Sequence, residues 1–327
     1  KDLLQPKVKM PTTIGYGNGY EVSYMNSGKM TNKGWEFRVD AVPFENKDWR
    51  VGVYFNIAHN ENKITEMPDN YIEENYTFGN GNYAYRREEG RPMGSFYGYR
   101  YKGVYQNKDA TYARDIEGNV MKDISGNAIV MRNGSYTVAP GDAIYEDVNH
   151  DGVINQYDIV YLGNSNPRLT GGAGLNVSYK QFKLSAIFYG RYGQDVVNAT
   201  RLNNESMRGI DNQSTAVLRR WRNEGDQTDI PRALYGEGYN TLGSDRFVED
   251  ASYLRLKSLS FTYRLPKKAI QRWGFNNIDV YVTGYNLFTW TNYTGQDPEV
   301  KTENTYAKDT ATTPASIQLV AGFNLSF

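Results

Sequence analysis

The stretch Ile317-Gln318-Leu319-Val320-Ala321-Gly322-Phe323-Asn324-Leu325-Ser326-Phe327 closes the chain and decides how the rest is read. Ile317, Leu319, Ala321, Phe323, Leu325 and Phe327 share one parity, and Gln318, Val320, Gly322, Asn324 and Ser326 share the other. Successive side chains of an extended chain point to opposite faces, so this is a strand with one apolar face and one mainly polar face. The alternation recurs upstream in Trp35 to Ala41, Trp49 to Ile57, Leu175 to Tyr179, Leu184 to Phe188 and Ile278 to Val282. One segment changes phase: Leu254 and Leu256 share a parity, whereas Leu259, Phe261, Tyr263 and Leu265 hold the other. A β-bulge near Lys257-Ser258 would restore a single apolar face, because one extra residue shifts the register by one. Two short strands meeting at a bend are the alternative.

Alternation alone fits a soluble sandwich as well as a transmembrane barrel, since both keep one face apolar. Three features favour the barrel. The segments run to about nine to eleven residues, the length a tilted strand needs to cross a bilayer. Trp35, Trp49, Tyr179, Tyr189, Tyr263, Phe288 and Trp290 stand at segment ends, as an interfacial girdle requires. The connections between the seven strands also alternate strictly, short then long. Phe44 to Asp48, Gln181-Phe182 and Pro266 to Asn277 are short; 60–168, 192–252 and 291–315 are long. Outer-membrane barrels pair tight periplasmic turns with large external loops. The reading is therefore all-β: an antiparallel outer-membrane barrel wall with its long loops at the cell surface. The first strand, near Lys33 to Val42, descends from outside, and 1–32 is expected to be external. Single-chain bacterial barrels have an even strand count, so an odd count suggests part of a larger barrel.

Composition agrees and excludes other classes. The 327 residues carry 37 Lys plus Arg against 37 Asp plus Glu, so no cationic excess marks a nucleic-acid binder. Mean hydropathy is low, at −0.68, yet 14% aromatic residues with 28 Tyr argue against disorder. There is no Cys, hence no disulfide or thiol chemistry. No apolar run reaches the roughly 18 residues of a transmembrane helix.

The most specific chemical motif is Asp147-Val148-Asn149-His150-Asp151-Gly152-Val153-Ile154-Asn155-Gln156-Tyr157-Asp158. Oxygen side chains stand at loop positions 1, 3, 5, 9 and 12, with Gly at position 6, the spacing that wraps a calcium ion. Asp147, Asn149, Asp151 and Asp158 would supply side chains, Val153 its carbonyl, and Asn155 a direct or water-mediated contact. Asp at the last position has a shorter reach than the usual Glu. In a long external loop the ion would stiffen the chain. His59 and His150 are the only histidines, and neither is paired with a nucleophile. The acidic pairs Glu73-Glu74, Glu88-Glu89 and Glu249-Asp250 have no spacing that points to glycosidase work. No catalytic residue is expected.

Several stretches together resemble the SusC/RagA family of TonB-dependent outer-membrane transporters of Bacteroidetes. They are Pro140-Gly141-Asp142-Ala143-Ile144-Tyr145 running into the calcium-like loop, and Leu162-Gly163-Asn164-Ser165-Asn166-Pro167. With them go Leu218-Arg219-Arg220-Trp221, Asp229-Ile230-Pro231-Arg232, Glu249 to Lys257, and Asn286 to Thr291 reaching Asp297-Pro298-Glu299. The terminal Phe327 resembles the aromatic signal read by the barrel-assembly machinery. The resemblance implies a barrel of about 22 strands around an N-terminal plug. It also implies a SusD-like surface lipoprotein as lid and energy from the TonB complex. This chain matches about the last third of such a protein, without plug or TonB box; nicking in an exposed loop would explain that. Its partners would be the lid, the remaining barrel and plug, and outer-membrane lipid.

The implied function is uptake of oligosaccharides or peptides without catalysis. Arg38, Asp40, Arg50, Asn56, Asn176, Lys180, Lys183, Arg191 and Asn324 are the expected lumen groups. Tyr97, Tyr99, Tyr105, Tyr235 and Tyr239 are candidate ligand contacts, since aromatic rings stack on sugars and pack on peptides. Two rival readings are a complete passive porin and a secreted, calcium-stabilised, carbohydrate-binding sandwich.

Overall fold

The computed structural model describes residues 28–67, 81–84, 86–300 and 306–327, and the backbone of 2–3, 7–9, 22–24 and 302–303. Seven long strands follow one another: β1 (Lys29–Glu45), β2 (Trp49–Glu66), β3 (Leu169–Tyr179), β4 (Phe182–Tyr192), β5 (Tyr253–Arg264), β6 (Asn277–Thr291) and β7 (Gln318–Ser326). Each pairs antiparallel with its sequence neighbour in a single sheet, and Asp2–Leu3 pairs with the start of β1 as an eighth piece.

The register sorts every side chain by parity. One apolar row crosses the sheet as Phe37, Ile57, Gly171, Gly190, Leu254 and Trp290. Another runs Val51, Val177, Leu184, Phe261, Val282 and Ala321. The opposite face carries Arg38, Asn56, Gly172, Tyr189, Arg255 and Thr289 in one row. Phe323 and Leu319 stand 67% and 75% exposed, so most of the apolar face is open; only at its turn end is it covered, where Ile278 is buried and Phe327 meets Phe275. A water-facing surface would not place such a band there. The bulge lies where the phase change put it: Phe188 faces Leu256 and Ile187 faces Ser258, which leaves Lys257 over.

Two boundaries differ from expectation. β1 begins at Lys29 and β2 runs on to Glu66, so the first long loop starts at Met67 instead of Asn60. Their pairing continues after the apolar alternation ends at His59, and a Lys29–Glu66 ion pair closes it. Polar residues on both faces conceal such a strand from a pattern search.

The short connections are local turns. Asn46 accepts hydrogen bonds from the amides of Asp48 and Trp49 at 2.9 Å, and Lys180 takes φ +49° between β3 and β4. The long connections instead pack together at the other end of the sheet. Tyr97, Tyr99, Tyr105, Tyr145, Tyr239 and Ile154 belong to one buried cluster; Phe96, Val197, Leu202 and Phe247 form a second. Asp195–Asn198 pairs with Val248–Asp250 and with Tyr306–Asp309, tying the second loop to the third.

Candidate functional site

The loop end of the sheet holds most of the residues singled out in the sequence. In the calcium-like loop, Asp147 accepts from the Gly152 amide at 2.8 Å, and Asp151 accepts from the Val153 amide at 2.8 Å. His150 and Gly152, at φ +55° and +79°, make the sharp turn. Asn149 donates to Asp151 at 2.9 Å, and Asn155 donates to the Val153 carbonyl at 3.1 Å. Asp158 is fully buried beneath them, with its two oxygens accepting from the Val148 and Asn155 amides at 2.8 Å each. Burial pushes the Asp158 carboxyl up; those amides pull it down, and Asp147 and Asp151 push it up further.

Among the described residues, no three His, Cys, Asp or Glu side chains form a metal cluster. Asp147, Asp151 and Asp158 thus do not draw together as such a cluster; with the two Asn side chains and one backbone carbonyl they are the hard oxygens that suit calcium. Each hydrogen-bonded carboxylate oxygen keeps a further acceptor site, so the residues fit such a cation in type. Asp158 also completes a capping box with Asn155 on the short helix Gln156–Asp158, a role that its spacing could have revealed.

The tyrosines are a correction. Tyr97, Tyr99, Tyr105 and Tyr239 are each under 5% exposed, and their rings fill the loop core. Tyr145 stacks edge-on against Tyr239 at 5.4 Å and donates to its carbonyl at 3.0 Å. Faces expected to meet a ligand are therefore covered, and only Tyr235, at 77% exposed, stands open.

Stretches that are distant in sequence meet as ion pairs. Arg232 donates to both oxygens of the fully buried Asp142, at 2.7 and 3.3 Å, and Tyr136 and the Ala139 amide add to it. Trp221 lies against Gly141, where a Cβ would stand 2.3 Å from its ring. Arg255, on β5, donates to Asp297 at 2.5 Å, to Glu299 at 2.8 Å and to Thr289 at 2.8 Å. That holds the third loop against the polar face of the wall. Glu249 joins Arg201 at 3.1 Å and Thr294 at 2.9 Å. Burial alone would raise the Glu249 carboxyl, but Thr294 and Arg201 hold it below its ordinary value.

The other acidic pairs are also engaged in hydrogen bonding. Tyr97 donates to Glu88 at 3.0 Å and the Met67 amide donates to Glu89 at 2.8 Å; Glu73-Glu74 lies outside the described residues. His59 sits 2.6 Å from the Arg168 carbonyl, and no nucleophile accompanies it.

No family model matches the chain. Whole-sequence and structure comparisons do find relatives. TonB-dependent receptor P3 of Formosa agariphila is 32% identical over 301 residues, covering 90% of this chain and 28% of that protein. TonB-dependent receptor SusC of Bacteroides thetaiotaomicron is 28% identical over 335 residues, covering 100% of this chain and 29% of that protein. The solved structure of the RagAB peptide transporter superposes with a TM-score of 0.71 at 27% identity, over 98% of this chain and 32% of that one. The chain is a portion of a SusC/RagA-like TonB-dependent transporter. It spans about a third or less of its curated relatives' length, and those relatives are receptors and transporters, not enzymes. In this transporter portion the antiparallel sheet corresponds to barrel wall. The paired stretches Asp142–Arg232 and Arg255–Asp297 are those that carried the sequence resemblance.

Proposed function

We propose that the chain supplies wall and mouth loops to an outer-membrane importer of oligosaccharides or peptides, driven through TonB and covered by a SusD-like lipoprotein. One observation carries this reading: a continuous outward apolar band backs a polar inner face, with loops packed over one end only. The loops after β2, β4 and β6 stand at the cell surface and the short turns face the periplasm. Of the segment 1–32 expected to be external, Lys29 to Asn32 already belong to β1 and most of the rest lies outside the described residues; Phe327 serves barrel assembly. Oligosaccharide uptake follows from the family resemblance, whereas similarity to the RagAB peptide transporter favours peptides. Calcium, held by Asp147, Asn149, Asp151, Val153, Asn155 and Asp158, stiffens the first long loop.

The test uses the full-length transporter. It should fractionate with the outer membrane, migrate as a heat-modifiable band, and support growth on one defined glycan or peptide. Deleting the neighbouring lipoprotein gene should abolish that growth. A monodisperse protein in detergent-free buffer would overturn the reading.

A further inference from the structure

Two concavities adjoin on the outer face of the wall, one apolar and one polar. The apolar groove, of about 560 Å³, has a directly paired Gly171 and Gly190 as its floor. Ile57, Phe188, Leu254 and Trp290 wall it. The glycines are needed there: a Cβ on Gly171 would stand 2.7 Å from the Asn56 carbonyl, and one on Gly190 2.8 Å from that of Tyr253. The remaining hollow falls within the roughly 300–1,000 Å³ of small-molecule sites.

At its loop-side end β3 begins, and the chain before Leu169 turns away from β2. The gap is a cleft of about 380 Å³ lined by His59, Asn62, Lys63, Asn166 and Arg168 among others. The two hollows share a border, since Leu169 of the groove follows Arg168 of the cleft and pairs with His59. His59 and Arg168 are also joined by the 2.6 Å hydrogen bond that fixes this border. Glu61 is the cleft's one acidic residue among those described, and it faces Lys33 across the β1–β2 register. Asp195, which accepts from the Asn164 amide, answers the charge of Arg168, so Lys63 is the cation that the cleft presents. Trp35, 5.9 Å from His59, borders the cleft, and Trp290 walls the groove in the next row; both are aromatics of the kind that stand at a membrane interface.

We propose that this pair of hollows is a binding site for one outer-leaflet lipid with an anionic headgroup. Its acyl chain fills the groove over Gly171 and Gly190, and its headgroup enters the cleft beside Lys63. Apolar lining, adjoining positive charge and the bordering interfacial aromatics each fit this one occupant, and water would fill the groove poorly. The inference rests on the outer-membrane reading above.

The experiment uses the full-length transporter, extracted in detergent, stripped of lipid, and titrated with dioleoyl phosphatidylglycerol or dioleoyl phosphatidylcholine under native mass spectrometry. Wild type should retain one phosphatidylglycerol about fivefold more tightly than phosphatidylcholine, the scale of one basic residue near an anionic surface. Ala173→Phe, which fills the groove from an apolar wall position, should weaken both lipids on the order of tenfold. Ile57→Trp does the same from the opposite wall and serves if the first variant fails to assemble. Lys63→Gln should remove the headgroup preference and leave phosphatidylcholine retention unchanged. Unchanged retention in a correctly inserted, heat-modifiable groove variant would overturn the site. Equal retention of the two lipids by wild type would overturn the headgroup assignment. Failure of wild type to insert in the outer membrane would strike the importer reading instead.

Discussion

The wall and the loop assembly use the same residue types in opposite ways. In the wall, parity decides exposure: Phe288 and Trp290 stand 60% and 52% exposed on the apolar face. In the loops, packing decides it: Phe96 and Tyr97 are at most 1% exposed. The tyrosines make the contrast sharpest. Tyr54 and Tyr281 lie over Gly174 and Gly322 of neighbouring strands, smoothing the polar face. Tyr145 and Tyr239 are instead buried ring against ring in the loop core. The wall is held by backbone pairing and needs an apolar surrounding; the loops carry their own core and buried charge pairs. Perturbations should therefore separate the two regions.

The largest separation should come from Asp142→Ala. It strands the Arg232 guanidinium and the Tyr136 hydroxyl in a site with no water access to the lost carboxylate. Breaking a buried pair from one side costs about 3–5 kcal/mol; the Arg232 side chain is 32% exposed, which brings the loss to the lower end of that range. Hydrogen exchange should rise across 136–145 and 230–242, while the heat-modifiable band of the wall persists. If that band vanishes too, the regions fold as one unit and the contrast fails.

Calcium removal should come next. A ligand at about a hundred times its Kd stabilises the folded form by about 2.7 kcal/mol. Chelation should lower the melting temperature of the loop assembly and leave the wall alone, and Asp151→Ala should abolish the calcium-dependent shift. A shift that survives Asp151→Ala would place the ion elsewhere.

A smaller effect is expected on the wall side from Gly174→Ala. Its Cβ would come within 1.9 Å of the Tyr54 ring, so the ring must swing off the neighbouring strand. The expected loss is about 1 kcal/mol, at the lower end for overpacking because the ring's far edge can move. In a double-mutant cycle, Tyr54→Ala should recover most of it. Additive losses would mean the tyrosine does not shield that glycine.

What could be read beforehand follows the same division. Leu319, Phe323 and their partners were legible because a strand's period is written into consecutive residues, and even the bulge at Lys257 showed as a change of phase. The loop tyrosines were not: Tyr97 and Tyr239 meet only through tertiary packing, and no local pattern says which ring will be covered. The calcium-like spacing was local and therefore visible, whereas the burial of Asp158 was not. The groove needed the register, since Gly171 and Gly190 become one floor only when β3 and β4 are aligned.

Acid should distinguish the regions most subtly. Hydrogen bonds from Thr294 and Arg201 depress Glu249 against its burial, and those from the Ala315 amide and Arg255 do the same for Asp297. A carboxyl depressed in the folded state stabilises it above the unfolded value, near 4, and loses that contribution as pH falls through the folded value. Both groups anchor the third loop, Asp297 to the wall through Arg255 and Glu249 to Thr294. Protease cleavage in 306–317 should thus stay low from pH 7 to about 5 and rise below pH 4, with the wall strands as an unchanged internal control. Glu249→Gln should flatten part of that acid response, since the neutral amide no longer titrates. Loop opening that instead grows as pH rises would have the wrong sign for depressed carboxyls and would remove these two groups as its anchor.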